Sequence, residues 1–267
     1  MERRIPQNVL MIGNSFNYFF LDELYGMADA AGFDCRVSGV VAGGATLKQH
    51  AEWLAADAHP YQFRTVDHTG AHEQYHLSLD DCLSQADWDV ISYQNGGHYF
   101  RAGGYPLARA HMEPHLTSLV DHCRTAHPQA IQCWHQVWAY QIGYVCQNPS
   151  FAIRCREEQQ ALYLDFRNMA LCACDEHDLL MIPTGDAWEI ARDDSRIGDT
   201  LCMTDCLHDG EKGGQYLNAC VWFEMLFSKS CIGNTFRPPY ALSEERISAL
   251  QQAAHRAVND LRTSNLS

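Results

Sequence analysis

The chain has 267 residues, of which 46% are hydrophobic and 19% charged, so it carries enough apolar material to bury the core of one α/β domain and too little charge for long disorder. Its formal net charge is −14, with 19 Lys and Arg against 33 Asp and Glu, which argues against nucleic acid or an anionic membrane as partner, because phosphate binding needs a basic face. No run of about 18 apolar residues exists to span a bilayer, and 12 Cys without a disulfide-type setting point to reduced thiols in a cytoplasm.

Met1-Glu2-Arg3-Arg4 resembles the charged start of a signal peptide. The apolar stretch behind it, however, reads as the strand that delivers Ser15, and cleavage there would remove that block. Val9–Ile12 is short and apolar on both faces, as a central parallel strand should be. It ends in Gly13-Asn14-Ser15, and Asn17–Ala31 then follows with helical periodicity. Glycine permits the sharp exit, and a serine at a helix start faces free N–H groups. Read blandly, Asn14 or Ser15 is only an N-cap.

Further parallel strands are predicted at Cys35–Val41, Asp89–Tyr93, Ala130–Val137 and Leu179–Pro183. Helices are expected at Leu47–Ala56, Pro106–Ala126, Ser150–Glu176, Gly214–Phe227 and Ser243–Leu261. Between the second and third strands, alternation about Thr69-Gly70 predicts an inserted β-hairpin over residues 61–77. His72 and His76 would lie about 13 Å apart on it, with His68 across the turn, so a shared metal is not expected. The remaining pattern is a three-layer α/β/α sandwich on an open five-stranded parallel sheet of flavodoxin type, within one domain covering 1–267.

Late in the chain, Thr204-Asp205-Cys206-Leu207-His208-Asp209-Gly210 precedes the last helices. Asp205 and His208, three apart, can meet in one turn, the Asp orienting an imidazole whose other nitrogen serves as a base. The order Ser, Asp, His is that of many α/β serine hydrolases.

With these blocks the chain resembles the SGNH/GDSL hydrolase superfamily, in a bacterial esterase-like branch that begins Gly-Asn-Ser. The resemblance rests on Gly13-Asn14-Ser15, Ala42-Gly43-Gly44-Ala45-Thr46, Asp89-Val90-Ile91-Ser92-Tyr93-Gln94-Asn95-Gly96-Gly97, and Asp205-x-x-His208. It implies a triad of Ser15, Asp205 and His208, with the Ser15 N–H and a Gly43 or Gly44 N–H as oxyanion donors. Where the family commonly reads Gly-x-Asn-Asp, this chain has Tyr93-Gln94-Asn95-Gly96, so the third donor is Gln94, with Asn95 as the alternative. Asn14 replaces the more familiar Asp.

The expected function is a serine esterase that removes a small O-acyl group, acetyl first, from a carbohydrate or glycoside, without cofactor or metal. Asn14, Tyr99, Arg101 and Trp138 are candidate substrate contacts, since the loops at the strand ends mix aromatic faces with hydrogen-bonding groups. Two other readings stay open: a thioesterase or lysophospholipase-like acyl hydrolase, and a catalytically weak carbohydrate-binding protein on the same scaffold.

Overall fold

Seven strands form one sheet in the computed structural model, which describes residues 5–96, 109–146 and 151–264. β1 (Asn8–Gly13), β2 (Arg36–Val41), β5 (Val90–Tyr93), β6 (Ile131–His135) and β7 (Leu180–Ile182) run parallel, while β3 (Tyr61–Asp67) and β4 (Gly70–Leu77) are antiparallel. The order is β4-β3-β2-β1-β5-β6-β7. The five parallel strands therefore have the expected flavodoxin-type arrangement, but the sheet has seven strands, not five. The hairpin does not stand apart as an insertion. β3 pairs along β2, from Val37 opposite Val66 to Val41 opposite Gln62, which satisfies an edge that would otherwise expose unpaired N–H and C=O groups.

Helices cover both faces. α1 (Leu21–Ala30) packs on α7 (Gly214–Phe227), which in turn packs on α8 (Glu244–Ser264), while α2 (Leu47–Ala55) packs on α4 (His115–Ala126). The short α3 is Leu79–Leu83, and α5 (Arg156–His177) lies against β6 and β7. All 14 residues of α7 are buried, the condition of a helix enclosed on every side. α6 (Thr184–Asp193), which the sequence does not predict, packs on α8. Its second residue, Gly185, explains the omission: glycine disfavours helix, yet a Cβ there would lie 2.5 Å from the Val137 carbonyl oxygen. The helix after Ser15 is also interrupted. A 3-10 turn, Ser15–Asn17, comes first, and α1 begins only at Leu21.

The core is one continuous apolar cluster that includes Trp134, Trp138, Trp188 and Trp222. Several of the polar groups buried with it are consequential. His135 is fully buried, hydrogen-bonds Asn17 Oδ1 at 2.9 Å, and is kept from protonating by burial, which lowers its pKa to about 3. All 12 cysteines are free thiols.

Glu23 of α1 is 3% exposed, and burial raises its pKa from the ordinary 4.5 to about 7. Between those values the folded protein holds a proton that the unfolded chain has released, so this group lowers stability as the pH rises from about 4.5 to about 7. Glu23→Gln removes that penalty. Denaturant unfolding should show it near neutral at pH 4.5 and stabilising by roughly 2–3 kcal/mol at pH 8; a gain independent of pH would contradict the assignment.

Candidate active site

The parallel strands end along one edge of the sheet, where ligands of such folds bind. β1 delivers Gly13-Asn14-Ser15 there, and a Cβ on Gly13 would stand 2.4 Å from Gln94 Nε2. Only glycine leaves room for the amide that follows β5. Asn14 begins the 3-10 turn, its side-chain oxygen accepting the Phe16 N–H at 3.2 Å. Ser15 is thus presented half-buried at the head of a single 3-10 turn, and α1 begins only at Leu21.

From the other end of the chain, the 204–209 loop brings the remaining groups. Ser15 Oγ lies 2.7 Å from His208 Nε2, and His208 Nδ1 lies 2.5 Å from Asp205 Oδ2. The other carboxylate oxygen of Asp205 accepts the Leu207 and His208 N–H groups at 2.9 and 3.1 Å. One side chain therefore shapes the loop and orients the ring within it. Partial burial opposes ionisation of Asp205, but the His208 side chain and the two N–H groups outweigh it and hold the carboxyl below its ordinary range. Cys206 takes a left-handed conformation at φ 59°, which lets the chain reverse between the two residues.

The loop is braced on both sides by side chains that the sequence reading assigned otherwise. Trp138, expected to contact substrate, is fully buried, and its indole N–H donates to the Leu207 carbonyl at 3.0 Å. It stacks on Trp188 of α6 with centroids 4.5 Å apart and 7° between planes. Trp188 donates in turn to Asn218 Oδ1 at 2.7 Å, and Asn218 Nδ2 donates to Asp209 Oδ2 at 3.1 Å. Burial raises the Asp209 carboxyl well above its ordinary range. Sequence reasoning missed this brace; its signal was Asn218, a polar residue inside the apolar run of α7. Phe16 and Phe19 flank the His208 ring at 5.8 and 5.3 Å.

Asn14 also departs from expectation. It is 2% exposed, and Nδ2 donates to Ala45 O at 3.1 Å and toward Gly96 O at 3.4 Å. Its oxygen accepts Gln94 Nε2 at 2.7 Å besides the Phe16 N–H. With every lone pair and proton engaged, it ties strand ends together and is not free for a substrate. Gln94 keeps one amide proton after serving Asn14, and Asn95, 3% exposed, follows it along the chain. Gly43 and Gly44 form an exposed turn after β2, Gly44 at φ 67°, with open space beside both. Tyr99 and Arg101 lie outside the described residues.

One group among the described residues, Glu113, Glu176 and His177, is close enough to share a metal ion. Its members already have partners: His177 Nε2 meets Glu113 Oε1 at 2.6 Å, and Arg109 Nε meets Glu176 Oε1 at 2.7 Å.

Asn14→Asp tests the tie. A carboxylate would place oxygen against the Ala45 and Gly96 carbonyls in place of an N–H donor, and the expected loss is about 1–3 kcal/mol, read as a lower midpoint in thermal unfolding. An unchanged midpoint would mean that these contacts carry no net stability.

The comparisons with known proteins agree with this architecture. No curated protein matches the chain in sequence. Among solved structures, a DUF4886 family protein from Bacteroides uniformis ATCC 8492 superposes with a TM-score of 0.81 at 26% identity, covering 95% of each chain. A proposed GDSL-like lipase from Parabacteroides merdae ATCC 43184 gives a TM-score of 0.53 at 14% identity over 84% of this chain and 96% of that one. The acetyl xylan esterase AlAXEase gives 0.52 at 12% identity over 82% and 99%. The latter two share the fold at identities that carry no more than the fold. A family model, the domain of unknown function DUF4886, matches residues 8–257, and the chain belongs to that family.

Proposed function

We propose that the protein is a serine esterase of the SGNH type that removes small O-acyl groups, acetyl first, from a carbohydrate or glycoside. The observation that carries this reading is the hydrogen-bonded line Ser15 Oγ, His208 Nε2, His208 Nδ1, Asp205 Oδ2 at 2.7 and 2.5 Å. Its geometry suits a nucleophile, a base and an orienting carboxylate. The fold shared with a GDSL-like lipase and an acetyl xylan esterase supports the same chemistry.

In this mechanism Ser15 Oγ attacks the ester carbonyl carbon as its proton passes to His208 Nε2. Asp205 holds the Nδ1–H and stabilises the imidazolium. The tetrahedral oxyanion is held by the Ser15 N–H, a Gly43 or Gly44 N–H and the amide of Gln94, or of Asn95 beside it. Collapse expels the alkoxide, which takes the proton from His208. Water, deprotonated by His208, then attacks the acyl-enzyme, and a second collapse releases the carboxylic acid and restores Ser15. Twelve free thiols fit a reducing cytoplasm.

Hydrolysis of p-nitrophenyl esters from acetyl to octanoyl tests the reading. Wild type should prefer acetyl, Ser15→Ala should lose about 10⁴-fold or more in kcat, and Asp205→Asn about 10⁴-fold. Activity unchanged in Ser15→Ala would remove the nucleophile. Faster turnover of octanoyl would favour the thioesterase or lysophospholipase reading, and no labelling of Ser15 by a fluorophosphonate would favour a binding protein.

A further inference from the structure

From His208 a strip of side chains runs outward over the hairpin. Phe19 stands edge-on to the His208 ring with centroids 5.3 Å apart, and Tyr18 stands edge-on to Phe19 at 5.2 Å. The Tyr18 hydroxyl donates to Glu73 Oε1 at 2.6 Å and accepts from Gln62 Nε2 at 3.4 Å, and the Tyr75 hydroxyl donates to the other Glu73 oxygen. Arg64 lies over the Tyr18 ring, 5.2 Å from its centroid, and pairs with Asp22 at 2.6 Å. These contacts fix the rings in place, yet Tyr75 remains 56% exposed.

Sheet register accounts for the alignment. Gly13 faces Val41, Val41 faces Gln62, and Gln62 faces Tyr75. Tyr75 therefore sits in the row of Gly13, the last residue of β1 before Asn14 and Ser15, three strand spacings or roughly 14 Å from it. Gln62 and Arg64 of β3 and Glu73 and Tyr75 of β4 share one face by alternation. Residues Gly70–His76 of β4 are all exposed, so this face opens to solvent beside the site.

The chemistry of the strip selects its occupant. Anionic polymers meet Glu73 and Asp22 on a chain of net charge −14. An apolar chain meets a carboxylate between the tyrosines. Sugar rings fit both features, with C–H faces lying on fixed aromatic rings and hydroxyls donating to Glu73 and the tyrosine oxygens. We infer that Phe19, Tyr18, Glu73 and Tyr75 form a distal glycan subsite, which holds the sugar units flanking the acylated one. The inference rests on the carbohydrate reading above and makes the substrate an oligosaccharide rather than a single acylated sugar.

Binding without turnover tests it. Ser15→Ala protein is titrated calorimetrically with unesterified β-1,4-linked xylo-oligosaccharides of one to six units. Affinity should rise with length, and Tyr75→Ala in that background should weaken the hexamer by about tenfold, the order of one lost stacking face. Tyr75→Phe should retain most of the affinity. Gln74→Ala, on the opposite face of β4, should not change it. Absence of binding, affinity independent of length, or equal binding by Tyr75→Ala would overturn the subsite. Failure of the esterase reading shows separately, as p-nitrophenyl acetate hydrolysis that survives Ser15→Ala.

Discussion

One buried amide sets the geometry of the site. Asn14 reaches three strand ends at once: its own after β1, Ala45 after β2, and Gln94 with Gly96 after β5. Adjacent parallel strands leave their C-terminal ends as loops with unpaired polar groups, and in a buried setting each of those groups must find a partner. An asparagine offers two donors and two acceptor positions in a fixed plane, so it can satisfy several of them together. An aspartate offers acceptors only. Asn suits the two carbonyls that it faces, Ala45 O and Gly96 O.

Around that tie the two halves of the site arrive from 193 residues apart. The serine side is positioned by the sheet, the histidine side by a loop with little regular structure of its own. Asp205 supplies the loop's internal order, and the Trp138–Trp188–Asn218–Asp209 line supplies its attachment to the core. Buried polar lines of this kind are costly when broken, because each member left alone keeps its desolvation penalty. The arrangement therefore places rigidity where a base must meet a hydroxyl within hydrogen-bond reach. It also places two tryptophans in the core rather than in the substrate's path.

The hairpin has two roles. As an edge, it completes the hydrogen bonding of β2 and lengthens the sheet. As a surface, it carries a polar and aromatic face away from His208, and the same register that closes the edge sets the spacing of that face.

Much was legible in the amino-acid order because the signals are local. Short apolar runs bounded by turns marked all five parallel strands, alternation about Thr69-Gly70 marked the hairpin, and Asp205-x-x-His208 can close within one turn. What the order of residues left open depends on partners distant in the chain. Where the hairpin docks is decided by the pairing of β3 with β2, one of the two edges of the parallel strands. Whether Trp138 meets substrate or core is decided by α6, a helix hidden by a glycine that close packing against Val137 requires. Whether Asn14 binds ligand or backbone is decided by carbonyls 31 and 82 residues away. The sequence by itself determined the strand pattern and the chemistry available at the strand ends. Only the tertiary structure decided which polar groups are consumed in holding the site together and which remain free to act, because hydrogen-bond satisfaction in a buried region is a property of the whole fold.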